Sequence, residues 1–431
     1  MKNVFIILTL ISFLGCGNRK NETIKVSDSD FKQAANVFAE LNELLIRENG
    51  TLWNYKLNGP ILLVNQVTRT FIANEQNEKN TFTKQGDFYI GNLPENINIA
   101  NTAITWENKM WTMVMLPLPE SKKERLSLLI HESFHRIQSK VGFDNLSELQ
   151  NNHLDTKDGR IYLKLELAAL KQALITDKPE QHIKNALLFR RYRHQLFPES
   201  NISENSIEIN EGIAEFTGSI LCGMNNEDLQ KHYSSMIDIT LSNPTLVRSF
   251  AYATIPVYGY FMKNTEADWN LKINDKTNLT DLICDFFGFI SSQITLDEIK
   301  KIGKTYEYVL ICKFEDDREQ KQIALIKRLK KQFLEDSTLV INLENMNIGY
   351  NPGNIMPLDS FGTVYPNLRI TDNWGILEVD SCGALVTNWQ RVTVSAPEQF
   401  SDTLIAGRGW KLKLNNPWKL KKVNGHYIVN K

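Results

Sequence analysis

Histidine and cysteine are scarce in this chain, at 7 and 5 of 431 residues. The cysteines stand far apart, with no C-x-x-C pair among them. That spacing excludes a zinc ribbon and a small disulfide-stapled scaffold. Charge of one sign is also missing, because the formal net charge is -1. No basic excess points to nucleic acid, and no acidic excess points to a solvating tail. Past the N-terminus no apolar run approaches the ~20 residues that cross a bilayer as a helix. Internal repeats and low-complexity tracts are lacking as well, which sets aside solenoids and propellers. What remains is an ordinary globular composition, long enough for two or three domains at roughly 100–200 residues each.

The N-terminus is different. Met1-Lys2-Asn3 gives a short positive region, Val4 to Leu14 is apolar, and Gly15-Cys16-Gly17-Asn18 comes next. The apolar stretch is too short to span a membrane and suits a signal peptide. A small residue directly before a cysteine resembles the cleavage site of bacterial lipoproteins, which implies a lipid on Cys16 and a place in the cell envelope. Residues 1–15 are therefore expected to be a lipoprotein signal peptide and residues 16–27 a polar tether. The remaining cysteines, Cys222, Cys284, Cys312 and Cys382, are expected to be buried small hydrophobes.

Apolar periodicity predicts an amphipathic helix over 28–49. Strand-like runs come after it at Ile61–Val64, Thr68–Ile72, Phe88–Ile90, Ala100–Trp106 and Trp111–Leu116. Ser121 and Glu124 form a capping box for a helix that runs to about Lys140. Further helices are predicted near 159–176, 179–195, 206–222, 226–239, 249–263, 278–291, 295–303 and 316–335. From Leu339 the pattern changes to alternating strands with Gly/Pro/Asn turns, ending in a hairpin at Asn424-Gly425. The expected boundary lies near 336–350, dividing 28–337 from a β domain at 338–431. Trp410 to Lys422 alternates apolar residues with lysines, which reads as a strand with its lysine face in water.

Two of the seven histidines form His131-Glu132-Ser133-Phe134-His135 on the capped helix. Positions i and i+4 project from one helix face, so both imidazoles can reach one zinc ion. Glu132 stands beside them as a general base for water. A catalytic zinc needs a third protein ligand. Asn210-Glu211-Gly212-Ile213-Ala214-Glu215 offers one on a separate predicted helix.

The pair H-E-x-x-H and N-E-G-x-A resembles the gluzincin metallopeptidases, the group that includes thermolysin and the zinc aminopeptidases. The resemblance covers the two helices and the strands before them. It implies zinc on His131, His135 and Glu211, with Glu132 as base. Glu215, one turn after Glu211, is expected to orient a ligand histidine through its other ring nitrogen. In those enzymes the glutamate comes soon after the second histidine, whereas here at least two predicted helices intervene. That gap keeps Glu166, His153 and Asp155 open as third ligands.

Tyr252 and Tyr258, in the apolar segment after Arg248, are candidate donors to a developing oxyanion. The strand pair around 100–116 offers an edge for an extended peptide. The expected architecture is α+β: a zincin-like catalytic domain, largely helical after residue 120, followed by a small all-β domain. The expected reaction is hydrolysis of peptide or protein substrates with one zinc ion. Two rivals stand beside it. One is a zinc hydrolase of a non-peptide substrate, and the other a binding or scaffolding lipoprotein whose zinc site is structural or silent.

Overall fold

The computed structural model describes residues 25–431 apart from 96, 148, 291–292, 351–354 and 402–403. The expected signal peptide, Cys16 and most of the tether lie outside the described residues. The chain is mixed α/β, with a helical middle and a β-rich C-terminal part. It divides into two compact units, one reaching Ile311 and the other Cys312–Lys431. No described helix is long and apolar enough to cross a membrane.

The first unit opens with α1 (Asp28–Glu48), capped by Ser27, whose Oγ accepts the Asp30 amide at 3.0 Å. Its stripe of Ala34, Val37, Phe38, Leu41 and Leu45 is buried, and Asn49 ends it in the left-handed region at φ 52°. Six strands come next: β1 (Ile61–Asn65), β2 (Thr70–Ala73), β3 (Thr83–Gln85), β4 (Phe88–Asn92), β5 (Thr102–Trp106) and β6 (Lys109–Leu116). They form one sheet in the order β3-β4-β2-β1-β6-β5. The pair β1 and β6 is parallel, and the other pairs are antiparallel. All three residues of β3 are exposed, so no apolar alternation announced it. The second strand starts at Thr70, later than expected, because Asn65 Oδ1 holds the Val67 and Thr68 amides in a turn.

The helices are α2 (Lys122–Ile137), α3 (Lys157–Ile175), α4 (Glu180–Leu196), α5 (Ser200–Ile207), α6 (Ile213–Leu221), α7 (Asn226–Ser242), α8 (Ala251–Thr265), α9 (Leu279–Phe286) and α10 (Leu296–Gly303). Ser121 caps α2 through the Glu124 amide. A π-helical turn, Glu208–Gly212, joins α5 and α6 into one continuous helix. That helix begins at Ser200 rather than near 206, directly after Glu199 at φ 67°. Two glycines bring it close to its neighbours. A Cβ on Gly212 would stand 2.8 Å from Ile255 Cβ on α8, and one on Gly218 would stand 2.6 Å from the Ser127 carbonyl on α2.

In the second unit the last part of α11 (Tyr308–Lys330) supplies Leu325, Ile326 and Leu329 to a small core with Phe333, Leu358, Val364 and Leu385. This packing is why the unit starts at Cys312, ahead of its first strand, Thr338–Asn342. Seven strands form one sheet and six another among the described residues, and a shared core of Ile341, Val392, Ile370, Trp374, Leu377 and Leu412 lies between them. The hairpin at Asn424-Gly425 has φ of 50° and 85° at its two turn residues, as a type I′ turn requires. Along Trp410–Leu414 the burial alternates, with Lys411 and Lys413 outward. Cys222 and Cys284 are buried as expected, but Cys312 is half-buried and Cys382 exposed.

Candidate metal centre

The amphipathic helix α2 buries Leu126, Leu129, Ile130 and Phe134 and keeps His131, Glu132 and His135 together on its remaining side. His131 and His135 turn their Nε2 atoms toward each other at 3.0 Å. Glu211 comes from the π turn, and its Oε2 lies 3.6 Å from each of those nitrogens. An ion bound at about 2.0–2.1 Å to two imidazoles and a carboxylate spans a triangle of this size. His131, Glu132 and His135 also bring one ligand atom each within 4.8 Å of one another. Buried Glu132 has an Oε2 with no hydrogen-bond partner among the described residues. Two facing imidazoles and a carboxylate are donor types that a catalytic zinc takes, so these residues could hold the ion, with the orphaned Glu132 oxygen beside them.

The outer contacts orient both imidazoles. His131 Nδ1 lies 3.0 Å from Glu215 Oε2, one turn beyond Glu211. His135 Nδ1 lies 2.9 Å from Gln138 Oε1, and Gln138 Nε2 donates to the Asn210 carbonyl at 3.0 Å. Such partners fix which ring nitrogen stays available to an ion. Glu211 Oε1 accepts from Arg248 and Asn210, both at 3.2 Å, while Tyr252 donates to Oε2. Oε2 is therefore the oxygen that faces the histidines, and Oε1 is held from behind.

The electrostatics stem from burial and these partners. Burial alone would lower the His131 imidazole, yet Glu211 and Glu215 outweigh it and raise it to about 10. Burial would raise the two carboxylates, yet the histidines bring Glu215 down to about 2 and hold Glu211 well below the usual carboxylate range. The cluster thus favours positive charge at this point, whether a proton or a cation carries it. Glu132 moves the other way, because burial pushes it up more than His131 and His135 pull it down. Burial and the Glu211 carboxylate push the Tyr252 phenol up, so it remains a donor.

The centre opens into a cleft of about 550 Å³ lined by Thr102 and Ala103 on one side and by Glu132, His135, Glu211 and Tyr252 on the other. Thr102 and Ala103 belong to β5, the outermost strand of its sheet on this side among the described residues.

The other sequence candidates lie elsewhere. Tyr258 is buried and donates to Glu166 at 3.1 Å, with Arg190 over its ring. It does not line the cleft, which corrects its candidacy as an oxyanion donor. Glu166 is itself fully buried against Arg190 and Arg193. His153 bonds to Glu204, and Asp155 accepts from Arg160 and the Leu246 amide. Neither Glu166, His153 nor Asp155 joins the histidine pair. Gln138, Arg248 and His232 were missed. Gln138 had a signal, because it lies three residues after His135 on the same helical face. His232, whose Nε2 is 3.6 Å from Glu215 Oε1, had none. Compared with protein-family models, curated proteins and solved structures, the chain matches none.

Proposed function

We propose that this chain is a zinc-dependent peptidase of gluzincin type with a zincin-like catalytic unit, exported and held at a membrane by a lipid on Cys16. One observation carries the reading: His131 Nε2, His135 Nε2 and Glu211 Oε2 converge within 3.6 Å of one another beside a buried, partnerless Glu132 oxygen. Bound there, zinc supplies Lewis acidity toward a carbonyl oxygen and lowers the pKa of water. His131, His135 and Glu211 hold the ion, while Glu215 and Gln138 fix the two imidazoles.

Glu132 takes a proton from the attacking water and delivers it to the leaving amine. Its raised pKa brings it nearer the range in which one carboxyl can do both. Tyr252 keeps its phenolic proton and lines the cleft, where on leaving Glu211 Oε2 its hydroxyl can donate to the oxygen that gains charge. The outer edge of β5 gives an extended peptide a strand to pair with beside these groups.

The test is metal content and peptide cleavage together. Purified protein should hold one zinc ion and cleave members of a peptide library, and a chelator should stop the cleavage. Glu132→Ala should keep the zinc and lose the cleavage. Chelator-insensitive cleavage, or none with zinc bound, would sink the peptidase reading.

A further inference from the structure

The long segment between His135 and Asn210 builds a buried ion-pair cluster on the helix that carries Glu211. From α4, Arg190 makes two bonds to Glu208, at 2.9 and 2.7 Å, and Arg193 makes two to Glu204, at 2.8 and 2.6 Å. From α3, Glu166 bridges the arginines at 2.7 and 2.8 Å. Thr254 on α8 adds a bond to Glu208 at 2.6 Å. Both arginines and Glu166, Glu204 and Glu208 are essentially without solvent exposure.

The position of Glu208 gives this cluster its meaning. Glu204, Glu208, Glu211 and Glu215 are spaced i, i+4, i+7, i+11, which in a regular α-helix places all four on one stripe. Here the first two face α4 and the last two face α2. The π turn Glu208–Gly212 takes in the last glutamate of the first pair and the first of the second. A π turn takes in one more residue, so the helix beyond it is out of phase with the helix before it by about 100°. π turns are uncommon, and the residue that opens this one is the one the arginine grips.

We propose that Arg190, Glu208 and Thr254 form a clamp that keeps this turn wound wide, and so set the angle at which Glu211 and Glu215 meet the histidines of α2. The inserted helices α3 and α4 are then a brace for the centre, and Arg190 is a positioning residue. The inference rests on the metal reading above, but the clamp itself is a property of the protein alone.

The test compares Glu208→Gln and the milder Thr254→Val with Ile299→Val, a buried truncation in α10, which contributes no residue to the clamp. Zinc affinity is read by competition with a chromogenic chelator, and ligand geometry by the absorption of the cobalt(II) protein. Amide exchange of residues 208–212 is measured on protein prepared without metal. The clamp predicts that Glu208→Gln and Thr254→Val each weaken zinc by about tenfold, as outer partners of ligands do. They should also alter the cobalt spectrum and speed exchange in the turn, whereas Ile299→Val should do none of these. Wild-type affinity with unchanged exchange in the folded clamp variants overturns the clamp. An equal loss in all three variants, scaling with stability, also overturns it, since the cluster would then be only structural. A wild type that binds no zinc overturns the metal reading, and amide exchange still decides on the clamp.

Discussion

One helix, running from Ser200 through the π turn to Leu221, carries four glutamates into opposite surroundings. The upper pair, Glu204 and Glu208, meets two guanidiniums in a region closed to solvent. The lower pair, Glu211 and Glu215, meets imidazoles beside an open cleft. Arginine cannot give up its proton, so the upper cluster keeps two fixed positive charges among its buried carboxylates. Histidine can trade a proton for a metal, and the lower cluster lines an open cleft. Residue type on the facing helix, more than the glutamates themselves, separates a brace from a site.

The largest expected effect breaks the lower cluster at its base. Glu132→Gln should cut peptide cleavage by ~10²–10⁴ while metal analysis still finds zinc; a loss of both would make Glu132 a ligand. Next comes the upper cluster. Arg193→Met removes one buried guanidinium from Glu204 and Glu166, leaving Glu204 to His153 and His194 and Glu166 to Arg190 and Tyr258, and should cost about 3–5 kcal/mol in urea unfolding. A loss below about 1 kcal/mol would show that the cluster relaxes freely. A smaller contrast lies in two tyrosines of one helix. Tyr252→Phe should lower kcat by about 10² with little change in KM. Tyr258→Phe should act on unfolding instead, by about 1 kcal/mol; equal kinetic effects would erase the distinction between the clusters.

The last test is acid. Burial alone would raise Glu204, but Arg193 and His194 hold it well below its usual 4.5. A carboxylate depressed on folding contributes stability that is fully present above the unfolded value. That contribution is lost as pH falls below about 4.5 toward the folded value. Urea midpoints of wild type should therefore drop across this range more steeply than those of Glu204→Gln. Parallel curves would remove Glu204 from the acid response.

Much of this was legible in the sequence because it is set by spacing. The i, i+4 histidines share a face by helix geometry alone, and Glu211 and Glu215 are one turn apart. The choice between Tyr252 and Tyr258 was half legible. Six residues on an α-helix leave them on different faces, so at most one belongs at the cleft, but periodicity does not say which. Glu166 stayed open as a ligand because of the long gap after His135, and its partners, Arg190 and Arg193, are remote in sequence. The π turn has no propensity signature, since tertiary contacts at Glu208 and the close approach at Gly212 surround it. His232 and Arg248 reach the centre through packing of α7 and of the segment before α8, which no local pattern encodes.

The distance along the chain from His135 to Glu211 has a thermodynamic side. On the proposed reading, two zinc ligands sit one turn apart and the third arrives only after two intervening helices have folded back. Closing that loop costs entropy in the unfolded chain, so an unfolded chain holds the ion far more weakly than the folded trio does. Zinc then acts by mass action on folding itself: each tenfold excess over its Kd adds about 1.4 kcal/mol to the stability of the unit. With export and zinc as proposed, the firmness of the fold would be set partly by how much zinc the outside supplies.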